Sequence, residues 1–300
     1  MSLPTLRQLQ YLVAVTELKH FGQAAEQCFV TQSTLSAGIQ DLENLLGITL
    51  LERTNRKVLP TSIGLEIAKQ AQKILSLSSD LIDIAQSEKT PLSGRIRIGL
   101  IPTISPFLLP KVLPIIRQQL PELELVLVED QSEHLLDQLE AGKIDLAVLA
   151  LPFNLRGFNH KVFAQEQFWL ALPKAHPLNK QKTISTEQLP SDELLLLKEG
   201  HCLREHALSA CNLPESRQRT SVQGTSLYTL IEMVAGGSGI TLVPEMALSS
   251  EMISHADICM RPLASPNNKP MRELGLVWRS SYRRHQTVAL LEKILRDTFA

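Results

Sequence analysis

The 300-residue chain lacks a net charge: 30 Lys and Arg stand against 31 Asp and Glu. That excludes a chain that is basic throughout. Any nucleic-acid contact must come from a local basic patch. The chain also lacks a long apolar run, and nothing approaches the ~20 residues that a membrane span needs. Residues 1–7 hold no apolar core of a secretory signal. The expectation is a cytoplasmic protein with no membrane partner. Cysteine is scarce, at four residues: Cys28, Cys202, Cys211 and Cys259. In a reducing compartment a stable structural disulfide is not expected, and a transient sensing or catalytic pair is the better reading. There is no internal repeat and no low-complexity segment. The 44% hydrophobic content is ample for a core and for two or more domains.

Two of the cysteines stand in one stretch, Gly200-His201-Cys202-Leu203-Arg204-Glu205-His206-Ala207-Leu208-Ser209-Ala210-Cys211. A cation beside a thiol lowers its pKa, and the thiolate is the reactive form. His201, Arg204 and His206 are the neighbouring candidates. Cys202 is therefore a candidate reactive sulfur, and Cys211 a candidate resolving partner. Arg204 to Cys211 contains good helix formers and no Gly or Pro. As a helix, nine steps of about 1.5 Å would separate the two α-carbons by roughly 13 Å. A disulfide needs about 4.4–6.8 Å. The bond then requires the segment to unwind, which would make a redox-driven switch. Two plainer readings stand beside this one. The cysteines could be small buried hydrophobes. His201, Cys202, His206 and Cys211 could hold zinc, but the spacing matches no common zinc motif. No metal and no cofactor are expected.

The first ninety residues read as helices and a hairpin. Leu6, Leu9, Leu12, Val13 and Ala14 mark a first helix that His20-Phe21-Gly22 breaks. Gln23 to Cys28 is a second. Thr31 caps a third, from Gln32 to Leu46, and Gly47 stops it. Leu35, Ile39, Leu42 and Leu46 form its buried stripe. This is a helix-turn-helix whose outer face is small and polar. Gln32, Ser33, Thr34 and Ser36 are its candidate DNA contacts. Leu50 to Leu59 reads as a β-hairpin wing carrying Arg53, Arg56 and Lys57, three cations suited to phosphates. A helix follows from Pro60-Thr61 to about Ser87. Ile63, Ile67, Ile74, Leu77, Leu81 and Ile84 lie on a heptad seam. Such a seam needs a partner helix, so the chain is expected to dimerise. Residues 88–94 are a hinge.

Phe21-Gly22-Gln23-Ala24-Ala25, Thr31-Gln32-Ser33-Thr34-Leu35-Ser36, Ile39-Gln40-Asp41-Leu42-Glu43 and Leu50-Leu51-Glu52-Arg53 come in order and at the right spacing. Together they resemble the N-terminal domain of the LysR-type transcriptional regulators. The chain departs from that pattern at Thr31, where Ser is usual, and at Ala37-Gly38, where a basic residue is frequent.

Beyond residue 90, strands and helices alternate. Strands are expected over Arg95–Leu100, Leu123–Val128, Asp145–Ala150, Gln167–Leu172, Glu193–Leu197 and Leu274–Trp278. Phe107–Leu120 has a helical pattern interrupted by Pro110 and Pro114. Ser132–Ala141 and Arg284–Phe299 read as helices, and Gly236 to Gly239 as a tight turn. The alternation predicts a mainly parallel sheet with helices on both faces. The late return of the chain predicts two α/β subdomains, the second inserted in the first. The resemblance implies the same architecture: a winged helix-turn-helix, a long linker helix, and an α/β effector domain similar to periplasmic solute-binding proteins. The expected bounds are 1–60, 61–90 and 91–300. Subdomain I would take about 91–166 and 270–300, and subdomain II about 167–269.

Gly99-Leu100-Ile101-Pro102-Thr103, and Gly200 to Arg204 with Cys211 nine residues after Cys202, resemble the peroxide-sensing members of that family. The resemblance implies that Cys202 is oxidised by hydrogen peroxide and that Cys211 closes a disulfide with it. Thr103, Ser132, His201 and Arg272 then match the peroxide pocket, with Ser132 standing where Thr is expected and Glu205 where Asp is. It further implies operator DNA, RNA polymerase, a tetramer of paired dimers, and a thiol reductant of the glutaredoxin or thioredoxin type. The function expected is transcriptional activation of oxidative-stress genes. The competing readings are a regulator triggered by a small metabolite in the effector cleft, and a thiol peroxidase. The peroxidase reading leaves the helix-turn-helix and the heptad helix without a purpose.

Overall fold

The structure is a computed structural model that describes residues 3–53, 58–89, 92–198, 200–210, 223–224, 226–265 and 270–299. Contacts divide the chain into two units: Met1–Lys89 with Glu140–Lys143, and Thr90–Leu139 with Ile144–Ala300.

In the first unit, α1 (Leu6–Leu18) starts at a capping box between Thr5 and Gln8. Helix α2 (Phe21–Gln27) begins two residues before the expected Gln23. The reason is His20, whose imidazole accepts from the Gln23 N–H and caps the helix instead of breaking the chain. Helix α3 (Gln32–Leu46) is capped by Thr31 and ends at Gly47 in the left-handed conformation, as expected. Leu35, Ile39 and Leu42 are fully buried against α1 and α2 residues such as Leu12, Val15 and Ala24. Leu46, expected on the same stripe, is exposed because the last turn runs past this core. A Cβ on Gly38 would lie 2.8 Å from the Tyr11 ring, so a long basic side chain has no room there. Strands β1 (Leu51–Arg53) and β2 (Val58–Pro60) pair antiparallel as a hairpin. Helix α4 follows over Ser62–Lys89.

The second unit begins with β3 (Gly94–Leu100), α5 (Ser105–Gln119), β4 (Leu123–Glu129), α6 (Ser132–Glu140) and β5 (Leu146–Leu151). Helix α5 is not interrupted. Pro106, Pro110 and Pro114 are four residues apart and all face solvent. Water satisfies the carbonyls they free, so the helix continues through them. Next come β6 (Asn159–Pro173), β7 (Ile184–Ser185), β8 (Leu194–Leu197), α7 (Cys202–Ala210) and β9 (Gln223–Gly224). The chain ends with α8 (Leu227–Ala235), β10 (Ile240–Pro244), α9 (Glu251–His255), β11 (Ile258–Ala264), β12 (Met271–Trp278) and α10 (His285–Phe299).

The strand order is β4-β3-β5-β12-β6-β10-β8-β9, with β11 also pairing β6. The sheet is mixed rather than mainly parallel. Strands β4, β3 and β5 are parallel, but β12 runs against both β5 and β6. Strand β6 also runs against β10 and β11. The surplus comes from β6, which is 15 residues long where six were expected. Its first half pairs with β12 and its second half with β10 and β11. Two hydrophobic clusters result. One gathers residues from β3 to β5, β12 and α10, and the other those from Phe168 to Leu263.

Candidate functional site

Cys202 is the first residue of α7 and is 4% exposed, with its thiol free. It packs into the first hydrophobic cluster, whereas Leu203, Ala207 and Leu208 of the same helix pack into the second. The helix thus carries the sulfur at the boundary between two cores. A tight cleft lies against it, walled by Thr103, Gln131, Ser132, Gly200 and His201 among others. Thr103, Ser132, His201 and Cys202, drawn from three separated segments of the chain, are therefore brought together. Gly200 shapes the approach. Its φ is +93°, and a Cβ there would sit 2.4 Å from the Gln131 side-chain oxygen.

Arg272 stands behind Thr103 and is 1% exposed. Its Nη1 donates to Thr103 Oγ1 at 3.1 Å and its Nη2 to the Thr103 carbonyl at 3.0 Å. Its Nε donates to Glu166 Oε1 at 2.8 Å. Arg272 and Glu166 face each other across β12 and β6, so the pair is built by strand register. Glu166 Oε2 also accepts from the Met246 N–H at 2.9 Å. A buried carboxylate paired and hydrogen-bonded in this way holds the guanidinium in place.

The electrostatics correct one expectation. Cys202 is not a low-pKa thiol at rest. Burial pushes its pKa up, against the opposing pull of the Arg272 charge and a hydrogen bond from Ser132. The cation that matters is Arg272, on β12 in the middle of the sheet, and not the neighbours of Cys202 along the chain. Arg204 reaches away to the Leu197 carbonyl at 3.5 Å. Burial holds His201 and His206 below the ordinary histidine range, which favours their neutral forms. His201 Nε2 lies 3.4 Å from Gln131 Nε2. The Ser132 hydroxyl is buried and makes no other settled hydrogen bond, which leaves it free to donate to a thiolate or a bound oxidant. Cys211 lies outside the described residues, so its position relative to Cys202 is not part of this geometry.

Glu166 and Gln131 escaped the sequence reading as site residues. Glu166 falls just before the expected strand start at Gln167, and only the full length of β6 places it opposite Arg272. Gln131 carries no motif. Among the described residues no group of three or more His, Cys, Asp or Glu could hold a metal ion. No described helix is long and apolar enough to cross a membrane.

In the first unit, Gln32, Ser33 and Thr34 are exposed at the start of α3, and Ser36 is half-buried. The Thr31 hydroxyl bonds those of Ser33 and Thr34 at 3.0 and 2.8 Å, which fixes the polar tip of the helix. Arg53 ends β1, but its side chain, and all of Arg56 and Lys57, lie outside the described residues. On α4, Ile63, Ile74, Leu77 and Leu81 are exposed. Ile67 is half-buried against the core of the first unit. The Ile84 side chain lies outside the described residues.

Residues 6–65 match the family model of bacterial regulatory helix-turn-helix proteins of the lysR family, and residues 89–300 match that of the LysR substrate binding domain. The chain is 42% identical to the HTH-type transcriptional regulator EstR of Acinetobacter baylyi, over 93% of this chain and 92% of that protein. It is 41% identical to the hydrogen peroxide-inducible genes activator of Dickeya chrysanthemi, over 91% of this chain and 89% of that one. Among solved structures, a variant of full-length OxyR from Pseudomonas aeruginosa superposes with a TM-score of 0.81 at 34% identity. The match covers 99% of this chain and 96% of that one.

Proposed function

Because the chain belongs to the LysR family of bacterial transcriptional regulators, we propose that it binds DNA and senses hydrogen peroxide through a reversible Cys202–Cys211 disulfide, activating oxidative-stress genes. One observation carries this reading: a buried thiol pressed against a tight cleft with Thr103, Ser132 and His201 around it and Arg272 behind. Small-molecule sites span roughly 300–1,000 Å³; this cleft leaves essentially no void for even a water at rest, so it excludes a metabolite and admits at most a very small oxidant as its walls give slightly. Relatives named for hydrogen peroxide induction support it.

Burial favours the protonated thiol, so the proton must leave the sulfur as it attacks, because the thiolate is the nucleophile. The sulfur attacks one peroxide oxygen and the O–O bond breaks. The second oxygen leaves as water with the thiol proton, and Cys202 becomes a sulfenic acid. Ser132, Thr103 and His201 orient the peroxide by hydrogen bonds, and the Arg272 charge stabilises the negative charge that builds as the bond breaks. The Cys211 sulfur then displaces the sulfenic hydroxyl as water, and a disulfide forms. Helix α7 runs to Ala210, eight steps from Cys202, or about 12 Å along its axis. Cys211 follows directly, so bridging requires α7 to unwind. A dithiol reductant of the glutaredoxin or thioredoxin type would restore both thiols by exchange.

In the same reading, residues 1–60 are the winged DNA-binding domain and 61–90 the linker. Residues 91–300 are the sensor, with subdomain I over about 91–166 and 270–300 and subdomain II over about 167–269. Gln32, Ser33, Thr34 and Ser36 face the major groove, while Arg53, Arg56 and Lys57 meet phosphates. Ile63, Ile67, Ile74, Leu77, Leu81 and Ile84 pair two chains along α4. Dimers join as a tetramer, RNA polymerase is the partner in activation, and the protein works in the cytoplasm as a regulator rather than as an enzyme.

The test is a thiol count by mass spectrometry with disulfide mapping, before and after a slight excess of hydrogen peroxide, followed by DNA footprinting in both states. A rapid Cys202–Cys211 bond, reversed by mild reductant and absent in Cys202→Ser, is the expected result. A second reading rests on a groove of about 640 Å³ lined in part by Phe153, Asn154, Arg156 and Glu205, beside Cys202. Its size admits a metabolite. Free thiols after peroxide, with a ligand-dependent footprint unaffected by Cys211→Ser, would select it.

A further inference from the structure

Helix α7 carries a second buried polar side chain that the peroxide chemistry does not use. His206 lies four residues after Cys202, one turn along the same helix face. It is 6% exposed. Its Nε2 lies 2.8 Å from the carbonyl oxygen of Pro152, the residue that follows β5. A carbonyl only accepts, so Nε2 carries the ring proton and Nδ1 the lone pair. That Nδ1 is buried and has no hydrogen-bond partner among the described residues. Burial and the nearby Arg272 charge both disfavour a second proton on the ring. The ring is therefore a neutral, single-bond tie.

The tie spans the two packing regions of this unit. Most of α7 packs into the second hydrophobic cluster, through Leu203, Ala207 and Leu208. The His206 bond fastens it to the end of β5, whose residues belong to the first cluster. An unwinding of α7 that carries Cys202 toward Cys211 and runs through residue 206 breaks this bond. Attack of peroxide on the docked thiol need not.

Resting on the disulfide reading above, we propose that His206 is a positioning residue. It latches α7 in the reduced fold and so sets the rate at which Cys211 captures oxidised Cys202, leaving the first oxidation step unaffected. A net hydrogen bond of this kind is worth about two- to tenfold in an equilibrium or rate.

The test compares full-length protein with His206→Leu, which removes the bond, and His206→Gln, whose side-chain amide donates to the same carbonyl. Sulfenic acid formation is timed by dimedone trapping in a Cys211→Ser background. Disulfide formation is timed by acid quenching and mass spectrometry with Cys211 present. The expected result is an unchanged first rate in both variants, a disulfide rate raised about three- to tenfold in His206→Leu, and recovery of the parent rate in His206→Gln. Equal changes in both rates, no change in either, or Gln behaving like Leu would overturn the latch. Should the Leu variant fail to fold, His206→Asn, too short to reach Pro152, takes its place. Hydrogen exchange of the α7 amides in the reduced protein gives an independent reading: faster exchange in the Leu or Asn variant supports the latch, and unchanged exchange counts against it. If the parent forms no sulfenic acid at all, it is the peroxide reading that fails, and the exchange measurement still decides the latch.

Discussion

Arg272 shows how one residue couples charge, packing and chemistry. It is buried with Glu166 as its ion-pair partner and Thr103 as its hydrogen-bond acceptor. Removing the guanidinium strands a buried carboxylate, which typically costs about 3–5 kcal/mol. Arg272→Met is therefore expected to lower stability by that order and to slow Cys202 oxidation. Arg272→Met with Glu166→Gln should recover much of the stability but none of the rate. Denaturant melts and peroxide kinetics on the two variants separate these effects. The thiol itself predicts a pH dependence. Its folded pKa is raised by burial, so the folded state holds the proton more tightly than the unfolded state. The resulting stability is present below the ordinary thiol range and is lost as pH rises through it. Burial shifts Cys28 the same way, so the comparison must isolate Cys202. The reduced protein should lose Tm between about pH 8 and 10 more steeply than Cys202→Ala.

At the scale of elements, α4 carries the clearest prediction. Ile74, Leu77 and Leu81 are exposed on a 28-residue helix, and the proposed partner helix would cover them. Leu77→Asp is expected to weaken self-association by at least tenfold in sedimentation without melting the first unit. An unchanged association constant would argue that α4 is not the seam. The loop before α7 carries another. Gly200→Ala meets both a positive φ and the Gln131 side chain, and should lower stability by about 1–3 kcal/mol and misplace His201. Local signals made the helix-turn-helix legible in the sequence: the Thr31 cap, the Leu35–Ile39–Leu42 stripe and Gly47 all stand where their chemistry places them. His20 was read as a breaker because imidazole capping has no strong sequence signature. The pocket was legible only through resemblance, since its walls come from three separated segments with Arg272 behind them from a fourth. The cation acting on Cys202 was misassigned for the same reason. Nearness along the chain favoured His201, Arg204 and His206, whereas strand pairing delivers Arg272.

For the whole molecule, the near-zero net charge confines DNA attraction to local cations. On the proposed reading that Arg53, Arg56 and Lys57 meet phosphates in each half of a dimer, binding should weaken steeply with salt, and Arg53→Ala should flatten that slope by about one to two phosphates per dimer. Operator titrations at several salt concentrations measure it. A larger consequence follows from β6. This strand lends its first half to one hydrophobic cluster and its second half to the other, so each sheet region loses a ladder and its join to the other if β6 lets go. The second unit should then melt in calorimetry as one cooperative block, with calorimetric and van't Hoff enthalpies in agreement. A local change in α7 at the sulfur is thereby joined, through β6, to both halves of the unit at once.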